Sequence, residues 1–138
     1  MRSTIAHLNS IYDLIWTDGG HKIATASSDM SCSIFDAERG ECIYSYKNHA
    51  ASVKCVRENE VMSGVFASGA RDGGLHIWDT RESDKKSPVT FFNTNSYPKE
   101  ESSKERGKKL EKVPLKKSVT GLVHYKDKYI LSVEDMSK

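Results

Sequence analysis

The chain has 138 residues, a formal net charge of +2 and 37% hydrophobic residues, which suits one small domain rather than a polycation or a disordered polymer. Its apolar runs stay well short of the roughly 20 residues of a membrane-spanning helix, and Met1 leads into no apolar run typical of a signal peptide. Three cysteines are an odd number and predict free thiols in a reduced intracellular protein.

The first part of the chain contains four short segments that are typical of antiparallel strands. β-branched and aromatic residues dominate them, and turn sequences such as Asp18-Gly19-Gly20 separate them. The predicted strands cover residues 10–16, 22–27, 31–35 and 41–46.

The next part of the chain repeats this order, with predicted strands at residues 52–57, 65–69, 74–78 and 89–92. Asp29 and Asp72 are 43 positions apart, and so are Asp36 and Asp79. A period of about 40–45 residues that ends in Trp-Asp and has a His upstream is typical of WD-repeat propeller blades. We therefore expect an all-β partial β-propeller, in which each blade is a four-stranded antiparallel sheet.

The period breaks after the second repeat. Residues 99–117 hold eight Lys or Arg and four Glu, which predicts a Lys-rich polar insertion without strands of its own. Strands are predicted again at 118–125 and 129–133, with Glu134-Asp135 at the place of the next turn. The expected organisation is an N-terminal lead (1–6), WD repeat 1 (7–48), WD repeat 2 (49–92), the Lys-rich insertion (93–117) and an incomplete WD repeat 3 (118–138). Because propellers close with roughly 4–8 blades, about two and a half blades suggest a fragment.

Each repeat offers one set of four residues for a buried hydrogen-bonded tetrad. The sets are His7, Thr25, Asp29 and Phe35 in repeat 1, and His49, Ser68, Asp72 and Trp78 in repeat 2. Ser, His and Asp also occur together in hydrolases, but recurrence in each repeat predicts a structural role. The first tetrad has Phe in place of Trp and lacks the indole N–H, so we expect a weaker first blade.

Other chemistry finds little support in the sequence. The glycines around Asp72 lack the Lys-Ser or Lys-Thr and the following helix of a phosphate-binding loop. Cys42, His49 and Cys55 match no paired zinc-ligand spacing. We therefore expect no cofactor, no metal and no catalytic residues.

Residues 66–81 carry the most specific motif. They contain apolar residues, small residues, Asp72, alternating apolar residues and finally Trp78-Asp79-Thr80-Arg81. This segment resembles the box of WD-repeat substrate receptors of cullin-RING ubiquitin ligases. In that family the Arg contacts the damaged-DNA-binding adaptor protein that joins receptor to cullin, so the resemblance implies adaptor binding by Trp78, Asp79 and Arg81. Repeat 1 lacks both the Trp and the Arg, because Arg39 comes one position late.

The order of several motifs is more specific still. Residues 6–9, 13–16, 69–73 and 78–81, followed by a Lys-rich insertion, resemble the denticleless-type (Cdt two) substrate receptors. This resemblance implies a non-enzymatic receptor in ubiquitin-dependent proteolysis linked to DNA replication and the cell cycle, with protein substrates on the sliding clamp on chromatin. It implies a nuclear location, with the cytoplasm as the alternative, and no contact with membranes.

Three other interpretations remain open from the sequence. The chain is a generic WD-repeat interaction scaffold, or a non-functional truncated propeller whose blades lack neighbours. A nucleic-acid-binding or nuclear-localisation role of the insertion is the third. Glu101, Glu105 and Glu111 interrupt its positive charge, and no aromatic residue for base stacking is interleaved from Glu100 to Lys117, so a solvated loop without direct nucleic-acid contact is favoured.

Overall fold

The computed structural model describes residues 4–82, 87–93, 116–125 and 129–137, and the regular structure of this part is built from strands. A short 3-10 turn, Asp18–Gly20, follows the first strand. The strands are β1 (Ile11–Thr17), β2 (Lys22–Ser27), β3 (Cys32–Asp36), β4 (Cys42–Tyr46), β5 (Val53–Glu58), β6 (Val65–Ala70), β7 (Gly74–Asp79), β8 (Thr90–Asn93), β9 (Lys116–Tyr125) and β10 (Tyr129–Ser137). Within these described ranges, no helix is long and apolar enough to cross a membrane.

The strands form two four-stranded sheets and one two-stranded sheet, all antiparallel. Blade 1 has the order β1-β2-β3-β4, blade 2 has the order β5-β6-β7-β8, and β9 pairs with β10. The prediction of an all-β partial propeller is confirmed. The two blades also share their register, since Thr25 lies opposite Ser33 in blade 1 and Ser68 lies opposite His76 in blade 2.

The main hydrophobic core lies between the two blades. Blade 1 contributes mainly small and aliphatic side chains, whereas blade 2 contributes larger ones, including the fully buried Phe66 and Trp78. Burying each aromatic side chain stabilises the fold by roughly 1.5–3 kcal/mol. The ten buried residues are Ala24, Ala26, Cys32, Ile34, Tyr46, Val53, Val56, Phe66, Ala70 and Trp78.

Polar bonds also join the inner strands of the two blades. The Asp13 carboxylate in β1 accepts a hydrogen bond from the Val56 N–H at 3.1 Å and pairs with the Arg57 guanidinium. At the C-terminal ends of these strands, Thr17 Oγ1 donates to the Glu58 carboxylate at 2.7 Å. These polar bonds hold the inner strands of the two blades together in addition to the core.

A second core joins blade 2 to β9, through side chains that include Leu75, Val119 and Leu122. A Cβ atom on Gly69 would overlap the side chain of Val119, so blade 2 and β9 approach each other closely at this glycine. The equivalent position of blade 1, by strand register, is Ala26.

The predicted third repeat differs from the structure at one point. The sequence predicts a turn at Glu134-Asp135, but β10 continues through both residues, which pair with Val119 and Ser118. The prediction is wrong because β9 begins at Lys116 and supplies backbone partners for a longer β10. Residues 94–115, which hold nearly all of the predicted insertion, lie outside the described residues.

Candidate protein-interaction site

The site centres on the turn that follows β7. The strand delivers Trp78 into the core, where its side chain is 1% exposed and its Nε1 donates to Ser68 Oγ at 2.8 Å. Trp78 is thus too deeply buried to contact a partner protein directly, which corrects its predicted place among the adaptor-binding residues. Its burial fixes the position of the next residue, Asp79, at the start of the turn.

Asp79 and Arg81 form a rigid pair on this turn. The Asp79 carboxylate accepts the Arg81 backbone N–H at 2.8 Å, the Arg81 Nε at 2.9 Å and the Arg81 Nη2 at 2.7 Å. The hydrogen bonds from Arg81 lower the pKa of Asp79, so the carboxylate stays charged. Because two parallel bonds hold the guanidinium, it is oriented before any partner arrives.

Arg81 nevertheless remains open to solvent, since 62% of its side-chain surface is exposed. The guanidinium has five N–H donors, and the pair with Asp79 uses two of them. The remaining donors can bind a carboxylate or carbonyl group on another protein.

Gly64, which was not among the residues predicted from the sequence, packs against the turn that follows β7. The Gly64 carbonyl accepts the Thr80 N–H at 2.9 Å, and a Cβ on Gly64 would come within 2.8 Å of Thr80 Oγ1. Gly64 also has φ of +81°, a backbone conformation that other residues rarely adopt. In the sequence, Gly64 is simply a glycine in the turn between the predicted strands 52–57 and 65–69.

The corresponding turn of blade 1 has a different surface. The Asp36 carboxylate accepts the backbone N–H groups of Glu38 and Arg39 at 3.0 and 2.8 Å. The Arg39 guanidinium is not part of this arrangement, because its residue comes one position later than Arg81. The oriented arginine fork is therefore a feature of blade 2 among the two complete blades.

The structure brings together all four residues of the predicted tetrad in blade 2. The carboxylate of Asp72 can only accept, so His49 Nδ1 donates to it at 3.3 Å, and His49 Nε2 accepts from Ser68 Oγ at 2.8 Å. With the indole of Trp78 donating to Ser68, the chain of donors runs from Trp78 to Asp72 without a gap.

The Asp72 carboxylate also accepts the Ala50 and Gly74 backbone N–H groups, each at 2.7 Å. Burial alone would raise the pKa of Asp72, but the hydrogen bond from His49 and these two N–H groups lower it to about 2. The carboxylate therefore stays ionised and closes the turn between β6 and β7.

Blade 1 brings its four residues together with one difference. His7 Nδ1 donates to Asp29 at 2.9 Å, and His7 Nε2 lies 2.7 Å from Thr25 Oγ1. The Thr25 hydroxyl also lies 3.2 Å from the Ser33 carbonyl, so its single proton has two acceptors. Phe35 packs its ring edge-on to His7 and supplies no donor to the hydroxyl.

His76 lies next to the second tetrad but is not among the site residues predicted from the sequence. His76 stacks on His49 with ring centroids 3.9 Å apart, and its Nδ1 is buried without a hydrogen-bond partner among the described residues. Burial, together with the neighbouring His49, lowers the pKa of His76 to about 4, so the ring is neutral at pH 7. His76 therefore covers one face of the His49 ring in the second tetrad.

Cys42, His49 and Cys55 are not arranged as zinc ligands. Cys42 is exposed, Cys55 is buried, and His49 is occupied by Ser68 and Asp72. Burial raises the pKa of Cys55 to about 11, which disfavours the thiolate that zinc requires. The described part of the chain contains no group of three side chains placed to hold a metal.

Comparison with known proteins agrees with the propeller architecture. A family model described as the anaphase-promoting complex subunit 4 WD40 domain matches residues 3–61. This match includes all of blade 1 and the whole of β5, where blade 2 begins.

Matches to individual proteins identify a narrower group of proteins than the family model does. The Denticleless protein homolog of Gallus gallus is 41% identical over 76 residues, which is 55% of this chain and 11% of that protein. The Homo sapiens homolog is 39% identical over 77 residues, or 56% of this chain and 10% of that protein. This chain resembles the denticleless proteins. Protein lethal(2)denticleless of Drosophila melanogaster is 35% identical over 79 residues, again covering about a tenth of its length. The denticleless-like chain thus spans about a tenth of the length of the curated relatives it matches.

Proposed function

We propose that this chain is part of a substrate receptor of a cullin-RING ubiquitin ligase and that the Asp79–Arg81 pair binds the ligase's damaged-DNA-binding adaptor protein. The observation that carries the proposal is the oriented, exposed guanidinium of Arg81 at the end of a strand anchored by Trp78. The similarity to the denticleless proteins supports the same assignment.

The geometry suits an interface in two ways. An arginine whose fork is already held loses less side-chain freedom on binding than a free one does. The anchor of the turn lies in the blade core, so a partner would meet a rigid surface. Arg81 and Asp79 are thus the contact residues of this proposal, and Trp78 supports them from within.

The receptor acts without catalysis in this proposal. It holds a protein substrate and the ligase at the same time and so raises the effective concentration of the substrate's lysines near the ligase. Following the resemblance to the denticleless proteins, the process is ubiquitin-dependent proteolysis linked to DNA replication and the cell cycle in the nucleus, with a substrate on the sliding clamp.

Arg81→Ala tests the proposal directly. Loss of an interface charge that pairs with a buried partner costs roughly 2–5 kcal/mol, which is about 30-fold or more in affinity. Co-precipitation of the tagged 138-residue chain with the purified adaptor should therefore fall to background. Arg81→Lys keeps the charge but loses the fork, and we expect it to bind at an intermediate level.

Arg39→Ala is the matched control, because Arg39 follows the equivalent turn of blade 1 but is one position out of register. It should leave adaptor binding unchanged, and the melting temperature of both variants should stay at the wild-type value. Wild-type binding by Arg81→Ala would contradict the adaptor proposal and favour a generic WD-repeat scaffold.

A further inference from the structure

The two ends of β7 carry two different arginines. Arg71 precedes the strand and Arg81 follows it, so the six-residue strand Gly74–Asp79 lies between them. A strand of this length spans about 20 Å, which places the two side chains on opposite rims of the blade. A ligand on the Arg71 rim would therefore leave the Arg81 rim free.

The Arg71 rim brings together side chains of both blades. Lys54, at the start of β5, places its Nζ 3.2 Å from the centroid of the Tyr12 ring, at the start of β1. The Arg71 N–H donates to the Ser52 carbonyl at 3.0 Å, which fixes the turn of Arg71 beside the first residues of β5. We call Tyr12, Lys54 and Arg71 the rim patch.

The charges of the rim patch are not neutralised within the described residues. Arg57, Arg81 and Lys22 each pair with a carboxylate, whereas neither Lys54 nor Arg71 makes an ion pair there. The carboxylates of the adjoining turns, Asp29 and Asp72, are hydrogen-bonded to His7 and His49. The rim patch thus holds two cations that make no ion pair in this part of the chain, beside an exposed tyrosine.

The electrostatic environment of Tyr12 points the same way. A hydrogen bond with Ser28, then the ammonium of Lys54 and the charge of Arg71, lower the pKa of the Tyr12 hydroxyl. These groups therefore favour negative charge at the position of the Tyr12 oxygen. Tyr12 itself is 47% exposed, so a ligand can reach it.

We propose that the rim patch binds a single anionic oxygen group, a phosphate or a carboxylate, on a segment of another protein. Lys54 and Arg71 would neutralise the charge, and the Tyr12 hydroxyl would donate a further hydrogen bond. The patch has two cations only, whereas a nucleic acid requires contacts to several successive phosphates. A protein side chain therefore fits its size better, and this inference stands whether or not Arg81 binds the adaptor.

The test is binding of three ten-residue fluorescent peptides to the 138-residue chain, followed by fluorescence anisotropy. The peptides share a Gly/Ala/Ser sequence and carry phosphoserine, glutamate or serine at the centre. We expect the phosphoserine or glutamate peptide to bind and the serine peptide to bind at least about tenfold more weakly. Which anionic peptide binds more tightly identifies the source of the anion.

Lys54→Met and Arg71→Gln keep much of each unbranched side chain and remove its charge, and each should weaken binding about tenfold or more. Lys47→Met is the matched control, because Lys47 is exposed and follows the outer strand β4. Strand β4 lies three strand spacings, about 14 Å, from β1, which carries Tyr12. The Lys47→Met variant should leave the affinity unchanged.

A direct measurement on the wild-type chain keeps the test independent of the variants' folding. Titration with the phosphoserine peptide should shift the backbone amide NMR signals of Tyr12, Ser28, Lys54 and Arg71. The inference is overturned by equal binding of all three peptides, by equal loss in Lys47→Met, or by signal shifts elsewhere. Tighter binding of a ten-nucleotide single-stranded DNA than of either anionic peptide would also overturn it.

Discussion

The two complete blades share a strand order and a register, yet their buried networks differ at one donor. In blade 2, every proton of the chain from Trp78 through Ser68 and His49 to Asp72 has its own acceptor. In blade 1, the Thr25 hydroxyl has one proton for two acceptors and receives none from Phe35. A single aromatic exchange therefore separates a complete network from an incomplete one.

The main difference lies at the aromatic end of each tetrad. Asp29 accepts three hydrogen bonds, from His7 and from the N–H and hydroxyl of Ser31, which matches the three donors to Asp72. Burial would raise the pKa of Asp29, but the bonds from Ser31 and His7 lower it to about 2. Two of the donors to Asp72 are backbone N–H groups, whereas Asp29 receives one backbone N–H and the Ser31 hydroxyl. Blade 2 thus depends more on its carboxylate than blade 1 does.

Removing the carboxylate should have the largest effect. We expect Asp72→Ala to lower the free energy of unfolding by about 3 kcal/mol and Asp29→Ala by about 1–2 kcal/mol, because only the former breaks a complete buried network. Denaturant titration of both variants measures the two losses. Equal losses would show that the indole donor adds nothing to the tetrad.

Trp78→Phe converts the network of blade 2 into that of blade 1. It should cost about 2 kcal/mol, because the Ser68 oxygen loses a buried donor and the core loses part of the indole. Thermal unfolding followed by circular dichroism measures the change. Phe92→Leu changes an exposed aromatic side chain of the outer strand β8 and serves as the control. A Trp78→Phe variant as stable as the wild type would contradict the proposed role of the indole N–H.

Acid should weaken blade 2 more than blade 1, because His76 occupies the position of Ser33. The folded pKa of about 4 lies below the usual value of about 6.5, so the unfolded state binds more protons between these values. Stability is full above pH 6.5 and falls as the pH is lowered towards 4, by about 1–2 kcal/mol at pH 5.

His76→Ser gives blade 2 the residue of blade 1 and should remove this slope between pH 6.5 and 4. Stability measured by denaturant titration at pH 7, 6 and 5 provides the test. The tetrad carboxylates do not interfere, since the pKa of Asp72 and Asp29 is about 2 in the fold and their loss begins only below about pH 3.8. A His76→Ser variant with the wild-type slope would assign the acid sensitivity to another group.

Repetition made the blades predictable from the sequence. The 43-residue spacing located the strands to within two residues in both blades, because each strand alternates towards a shared core. The tetrads could be named residue by residue for the same reason. Positions without a counterpart elsewhere in the chain were harder, as the continuation of β10 through Glu134 and Asp135 shows.

The candidate sites were predictable only in part. The Trp-Asp-x-Arg motif predicted an exposed Arg81, but the burial of Trp78 and the fork on Asp79 depend on packing that no motif contains. The rim patch joins Tyr12 to residues about 40 and 60 positions away, and only the docking of two sheets brings them together. His76 appeared as one more strand residue until its stacking on His49 was seen.

The close approach at Gly69 has a consequence for the evolution of this repeat. If blade 1 were duplicated into the place of blade 2, its Ala26 methyl group would meet Val119, where the fold leaves room for hydrogen only. In such a duplicate, Asp13 would occupy the position of Cys55. It would there lack the Arg57 guanidinium with which it pairs in this fold. The blades are therefore not interchangeable modules, and each is matched to its own neighbour.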